Sequence, residues 1–280
     1  MDKARGNRSG LVERVLRANP RLASLAGGLE RFIPLPYNLR ENLRQWLLRA
    51  VHEPDFRLFD RLHDQPGLML DVGANRGHAA IAVLRRTRLF RVVSLEPNPS
   101  MRWSLGMVRL LHPRRFRFYL QGASHRSGRM DLIIPTNAKN LSSQASFDPR
   151  EFEKAYVRQR LASQGHPGGK ENFKRKAVNV LKADELGLSP DVVKIDVEGW
   201  EAQVLQGMEE ILKRCKPLLI IELNNRERWA PALARQGYLF YTLDKGCLLH
   251  HARWEDVPGL NVICLHPDAH SPVTRHLLPR

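Results

Sequence analysis

The sequence predicts a doubly wound α/β fold, a mostly parallel sheet with helices on both faces. Three observations carry this. From Leu68 onward, short apolar strands alternate with amphipathic helical stretches. One strand, "PLLIIELN", is almost fully apolar, as a central parallel strand buried on both faces must be. A turn with two glycines, "DVGANRG", joins the first strand to the first helix, where such sheets bind ligands.

Residues 1–65 read as helical and irregular. Leu11, Val15 and Leu16 form one short apolar face, and Asn38 can cap a helix carrying Leu39, Leu43, Trp46 and Leu47 at helical period. Pro34, Pro36 and Pro54 cut the region into short pieces that cover one side of the following domain or shape a substrate entrance. The domain itself is expected over 66–268. "LMLDVG" is its first strand and "GHAAIAVLRR" a helix with Ala79, Ala80, Val83 and Leu84 inward. "VVSLEP" is the second strand, and "SMRWSLGMVRLL" a helix facing inward with Met101, Leu105 and Val108. "FRFYLQGA" alternates at period 2 and reads as a third strand, "DVVKIDVEG" as a fourth. "WEAQVLQGMEEILKR" is one helix with Val204, Met208, Ile211 and Leu212 on a stripe, and "PLLIIELN" is the fifth strand. "YLFYTLD" and "NVICLHP" form a closing antiparallel pair before a tail at 269–280.

Two stretches interrupt the rhythm. "GRMDLIIP" and "KAVNVL" read as additional strands, the second at an edge. Between them lies a polar insertion, 136–176, with "SQGHPGGK" and one helix. Asp148 caps that helix, Pro149 takes its first position, and Phe152, Tyr156 and Leu161 share a side. An insertion of this length on an α/β core reads as a lid or substrate loop.

The chain has 280 residues, 42% of them hydrophobic, enough for one large domain with an appended segment. Its 45 Lys and Arg against 29 Asp and Glu give a net charge of +16, which suits an acidic partner. The arginines read as spread along the chain without a dense basic run, which argues against a nucleic-acid face. Cys215, Cys247 and Cys264 have no metal or disulfide spacing and read as reduced, mostly buried thiols. No stretch approaches the roughly 18 apolar residues of a membrane span. The start has no apolar signal segment, so a cytoplasmic protein is expected.

Gly73 and Gly77 lack Cβ atoms, which lets a ligand come against the loop backbone, and the following helix start offers free N–H donors. A P-loop needs a Gly-Lys-Ser/Thr run, which Arg76, Gly77 and His78 do not supply. A GxGxxG fingerprint aligned on Gly73 fails at Asp71 and at Arg76. A carboxylate at Asp71 repels a pyrophosphate but suits a cation. S-adenosylmethionine carries a sulfonium and an ammonium and no phosphate, so it is the nucleoside ligand this loop points to. Glu96 ends the second strand 19 residues after Gly77, placed to accept ribose hydroxyls.

In order, "DVGANRGHAA", "SLEPNP", "GASHRSG", "VVKIDVEGWEAQVLQGM" and "PLLIIELN" resemble the FkbM family of S-adenosylmethionine-dependent methyltransferases, over roughly residues 68–224. The resemblance implies a Rossmann-like class I methyltransferase whose seven-stranded, mostly parallel sheet has one antiparallel strand near an edge. It implies Asp71, Gly73, Asn75 and Gly77 around the methionine part of the cofactor and Glu96 on the ribose. It further implies Gly122 and Ala123 beside the adenine and Asp196 facing the methyl-transfer centre. The family often has an acid where this chain has His125, so contacts of that acid are not carried over.

Methyl transfer to a hydroxyl needs alignment and removal of a proton. "KIDVEGWE" offers Lys194, Asp196, Glu198 and Glu201. Asp196 and Glu198 are candidate base and positioning groups, with Glu222 a third. Each has a plainer reading: Glu198 favouring a helix start, Asp196 holding only the cofactor ammonium, Lys194 pairing with Glu222. His78, His125 and His166 are lone loop histidines. No His, Cys or acid cluster has metal-ligand spacing, and no metal is expected. The resemblance implies O-methylation of a small molecule or glycan, such as a secondary metabolite or cell-envelope sugar, and the positive charge an anionic acceptor. An RNA methyltransferase and a non-catalytic cofactor-binding protein are the alternatives. RNA would require a basic, aromatic-bearing face beside the pocket.

Overall fold

The computed structural model describes residues 54–135, 145–154, 157–159, 173–244 and 246–277. The expected helix after Asn38, the Leu11 stripe, Tyr156, Leu161, His166 and "SQGHPGGK" lie outside them.

The described chain begins with a 3-10 helix, Pro54–Leu62, whose Phe56, Phe59 and Leu62 are buried. Phe59 meets Phe90 edge-on at 5.6 Å, and Arg86 pairs with Asp60, so this segment does cover one side of the sheet. Strand β1 (Gly67–Val72) leads to helix α1 (His78–Arg86), then β2 (Phe90–Leu95), α2 (Arg102–Leu111) and β3 (Phe116–Tyr119). Next come β4 (Gly122–Ala123) and β5 (Gly128–Pro135), then β6 (Phe173–Leu181) and β7 (Val192–Ile195). Helices α3 (Glu201–Gln206) and α4 (Glu209–Cys215) follow, then β8 (Leu218–Glu222) and α5 (Ala230–Arg235). The remainder is β9 (Leu239–Asp244), β10 (Cys247–His251), β11 (Asn261–Leu265) and α6 (Pro272–Leu277).

The main sheet runs β10-β9-β11-β8-β7-β1-β2-β3. Strands β3, β2, β1, β7 and β8 are parallel, and β11 is antiparallel to both β8 and β9. It is a doubly wound α/β sheet. One face packs α1, α2 and α6 with the 3-10 helix, and the other packs α3, α4 and α5.

Three expectations change. The sheet has eight strands, not seven, because β10 folds back on β9 as a hairpin after Asp244. "FRFYLQGA" is not one strand. It leaves the main sheet after Tyr119, and Gly122–Ala123 pairs instead with β6 in a separate sheet, β4-β6-β5. "WEAQVLQGMEEILKR" is two helices, not one. A Cβ on Gly207 would stand 1.9 Å from the Ser124 carbonyl oxygen, and the Asp184 carboxylate accepts the free N–H groups of Glu210 and Ile211 that open α4. Cys264 is buried as expected, but Cys247 is exposed on the hairpin.

The insertion contributes one described element beside the site. Asp148 caps a 3-10 helix, Pro149–Glu153, with Pro149 first, so the capping signal holds although the helix is of the tighter kind. Phe152 packs on Phe173 at 4.9 Å.

Candidate active site

The site lies beyond the C-terminal ends of β1, β2, β7 and β8 and is built first from backbone. The Gly73 and Ala74 N–H groups both donate to the Leu95 carbonyl, so the loop after β1 is stitched to the end of β2. Glu96 completes the seam. Its Oε2 accepts the Asn75 N–H at 2.6 Å and its Oε1 the Asn98 N–H at 2.8 Å. Asn75 adopts a left-handed φ of 50°, which its short polar side chain tolerates. Burial, opposed by those two N–H donors and reinforced by Asp71 and Asp196, pushes the Glu96 carboxyl up to about 7.

The two glycines serve the chain itself. Gly73 has φ of 86°, and a Cβ there would lie 1.8 Å from the Asp196 carbonyl oxygen. Gly77 has φ of 85°, caps α1, and leaves room for Leu105 and Val108 of α2. What comes against the loop backbone at Gly73 is therefore the β7 loop. Asp71 is fully buried, and its Oδ2 accepts the Ser94 hydroxyl at 2.8 Å. The register sets Ser94 beside Asp71 on β2 and Lys194 beside it on β7.

Lys194 is buried and holds Asp196 Oδ2 at 2.8 Å, so Asp196, rather than Glu222, is its ion-pair partner. Strand β7 stops at Ile195, and the chain then turns through Glu198 at φ 51° and Gly199 at φ 96°. Glu222 ends β8, where Oε2 accepts from the Asn224 amide at 2.7 Å. Burial, then the Asp196 and Glu198 carboxylates, hold Glu222 well above the usual carboxylate range, and its side chain also hydrogen-bonds Asp196. The structure thus gathers Asp196, Glu198 and Glu222.

It adds one residue left without a role above, Glu201. It is fully buried, its Oε1 accepts the Gly199 N–H at 3.1 Å, and its Oε2 has no hydrogen-bond partner among the described residues. Burial pushes it up to about 8, with Asp196 adding to the rise. The signal in the sequence was the spacing Glu198-Gly199-Trp200-Glu201, an acid at the start of a helix with no other cap.

The described part of the insertion closes one side. Ser146 donates its hydroxyl to the Glu198 carbonyl at 2.8 Å, and Phe147 lies 5.9 Å from Trp200, ring to ring. The Trp200 indole N–H donates to Ser124 Oγ at 3.2 Å. A Cβ on Gly199 would lie 2.4 Å from Glu151 Oε2, and Lys154 bridges Glu151 and Asn225 at 2.7 and 2.8 Å. Gly122 and Ala123 are buried at the inner edge of the small sheet, with Phe147 packed where a Gly122 Cβ would be. His125 is exposed beside Ser124, and His78 opens α1.

Electrostatically the site is short of positive charge. Glu96, Glu201 and Glu222 each lie close enough to Asp196 to feel its charge, with Asp71 beside Glu96 and Glu198 beside Glu222, and Asp196 is paired with the buried Lys194; burial together with mutual repulsion raises Glu96, Glu201 and Glu222. Such a set fits a cationic ligand and disfavours a phosphate.

The doubly wound sheet with a carboxylate-lined switch point is the class I methyltransferase fold. The Methyltransferase FkbM domain family matches residues 71–240, and the chain belongs to that family. Its cofactor is S-adenosylmethionine. Similar solved structures include an FkbM methyltransferase from Methylobacillus flagellatus KT, with 17% identity, 91% of this chain and 60% of that chain covered, and a TM-score of 0.47. This chain therefore spans less than two thirds of that one's length. A putative caffeoyl-CoA O-methyltransferase from Staphylococcus aureus shares 13% identity over 93% of this chain and 99% of that chain, TM-score 0.39. A putative tRNA (m1A22) methyltransferase from Streptococcus pneumoniae, in complex with S-adenosyl-L-methionine, shares 14% over 76% and 71%, TM-score 0.37. No curated protein matches the chain.

Proposed function

We propose that this methyltransferase methylates a hydroxyl oxygen on a small molecule or glycan, with Glu222 as the general base. The observation that supports this reading is the pair of carboxyls at the ends of β7 and β8. Glu222 is buried and hydrogen-bonded to Asp196, and burial with the neighbouring carboxylates holds it well above the ordinary carboxylate range, which makes it a stronger base than a surface carboxylate.

When bound, S-adenosylmethionine supplies an electrophilic methyl on a sulfonium. The stitched loop of Gly73, Asn75 and Gly77 borders its methionine part, above the buried charge of Asp71. Glu96 keeps further lone pairs beyond its two backbone donors, and these take the ribose hydroxyls. Gly122 and Ala123 border the adenine. Asp196, steadied by Lys194, faces the ammonium and the transfer centre.

On the acceptor side, Glu198 orients the hydroxyl, and Asp196 and Glu222 share a proton in the unloaded site. Positive charge entering beside them drives that proton off to solvent, and the ionised Glu222 then takes the proton of the acceptor hydroxyl as its oxygen bonds to the methyl. Phe147 and Trp200 offer ring faces on which a sugar or aromatic acceptor stacks. Ser146 and Glu151 tie that wall to the catalytic turn and keep water from it. The net charge of +16 suits an acceptor whose carboxylate or phosphate stays outside this acid-lined site.

The test is transfer of labelled methyl to panels of hydroxylated metabolites, glycans and RNA. Glu222→Gln should lower kcat by about 10²–10⁴ on the accepted hydroxyl compound, with affinity for the demethylated cofactor within about threefold of wild type. Methylation of RNA alone, or a kcat unaffected by Glu222→Gln, would overturn the proposal.

A further inference from the structure

Helix α2 is apolar on two faces. Leu105 and Val108 pack into the core. At ~100° per residue, Trp103, Met107 and Leu110 fall on the opposite side, where Trp103 is 83% and Leu110 70% exposed. Five of the eight large exposed hydrophobic residues among the described residues lie between Leu89 and Tyr119: Leu89, Trp103, Leu110, Leu111 and Tyr119. Scattered apolar residues need no explanation, but a gathered set marks a contact surface.

The same stretch is strongly basic. From Arg85 to Tyr119 the chain has nine arginines, no lysine and one acid, the buried Glu96. The arginines are therefore not evenly spread along the chain. Some serve the fold: Arg86 pairs with Asp60, Arg88 with Asp64, and Arg115 donates to the Leu84 and Thr87 carbonyls. Arg91, Arg102, Arg114 and Arg117 are exposed, and no described acid forms an ion pair with them. Arg117 lies on the outer strand β3 but faces away from α2, since Phe116 and Phe118 take the helix side and Arg117 is registered with Val93 on the other; α2, with Arg102 at its start and Arg114 just past its end, forms the outer surface at this edge of the sheet. No described segment covers it.

We propose that this edge docks on an anionic phospholipid bilayer, with Trp103, Leu110 and Leu111 entering the headgroup boundary and Arg102 and Arg114 on lipid phosphates. A tryptophan and leucines on one helical face, ringed by arginines, match the composition of an interfacial helix. The aliphatic share separates this surface from a single-stranded RNA platform, which is built of aromatic rings. A second copy of the chain would bring the same uncompensated arginines face to face.

The experiment is co-sedimentation of the full chain with vesicles of phosphatidylcholine alone and with an equal share of phosphatidylglycerol, at about 0.15 M salt. Wild type should sediment with the anionic vesicles and be released by higher salt. W103A/L110A and R102Q/R114Q should each bind at least about tenfold more weakly, with melting temperature and cofactor affinity held. All these positions are exposed, so the variants keep the core. The proposal fails if wild type does not sediment with anionic vesicles, or if W103A/L110A binds as wild type does. It also fails if these variants abolish dimerisation or binding of single-stranded RNA in a chain that ignores vesicles.

Discussion

At Gly73 a single methyl group would meet the Asp196 carbonyl oxygen at 1.8 Å, on a backbone already at φ 86°. Gly73→Ala should therefore cost at least about 2 kcal/mol of stability and displace the β7 loop, read as a lowered melting temperature and a weakened cofactor. Glu96 makes a pH prediction. Its carboxyl sits up to about 7, and ribose hydroxyls donate more strongly to the ionised form. Affinity for the demethylated cofactor should rise with pH up to about 7 and level off above it. Calorimetry across that range tests the ribose role, and a flat profile refutes it. Glu201 tests the buried turn. Its carboxyl rises from 4.5 unfolded to about 8 folded, so the folded state favours the protonated form. The stability this contributes is complete below 4.5 and lost as pH rises through about 8. Glu201→Gln keeps an acceptor for the Gly199 N–H without the charge. Relative to wild type its melting temperature should improve as pH climbs between those values.

Among elements, the Ser146–Glu153 piece of the insertion is bonded to the turn after β7 rather than loosely poised above it. Its Ser146 reaches the Glu198 carbonyl and its Glu151 fits against Gly199. Phe147→Ala should raise the acceptor KM more than about fivefold while cofactor affinity holds, since a lost ring contact is worth about 1 kcal/mol or more. Equal loss of both would mean that the segment serves the whole site. The elements were largely legible beforehand. β1, α1, β2, α2, β7 and β8 follow from apolar period and from punctuation by glycine and proline. The breaks were not. Nothing within "WEAQVLQGMEEILKR" announces that Gly207 must let the Ser124 carbonyl pass, because the obstructing atom comes from another part of the chain. Likewise Gly122–Ala123 alternates in phase with β3 and yet hydrogen-bonds β6.

For the molecule as a whole, charge is divided in an instructive way. The exterior near α2 is rich in arginine, while the site gathers carboxyls near Asp196, which pairs with Lys194. Because Glu96, Glu201 and Glu222 are all raised, the ligand-free protein should melt higher near pH 5 than near pH 8, and a bound cation should narrow that gap. Scanning calorimetry with and without the cofactor decides this. Asp148, held low by Arg150 and Arg228 against the cost of burial, acts oppositely and only in acid, its contribution lost as pH falls below 3.8.

Sequence alone determined the doubly wound plan, the family and, with it, the cationic cofactor. Hydrophobic period, turn chemistry and the sign of a charge are local properties, written within a few residues. Tertiary structure alone decided what those residues touch. It showed that Gly73 admits the neighbouring loop, that Lys194 answers Asp196, that Glu201 lies fully buried beneath the turn, and that the arginines around α2 share an edge with its exposed apolar face. These are contacts between segments far apart in the chain, and only packing brings them within reach.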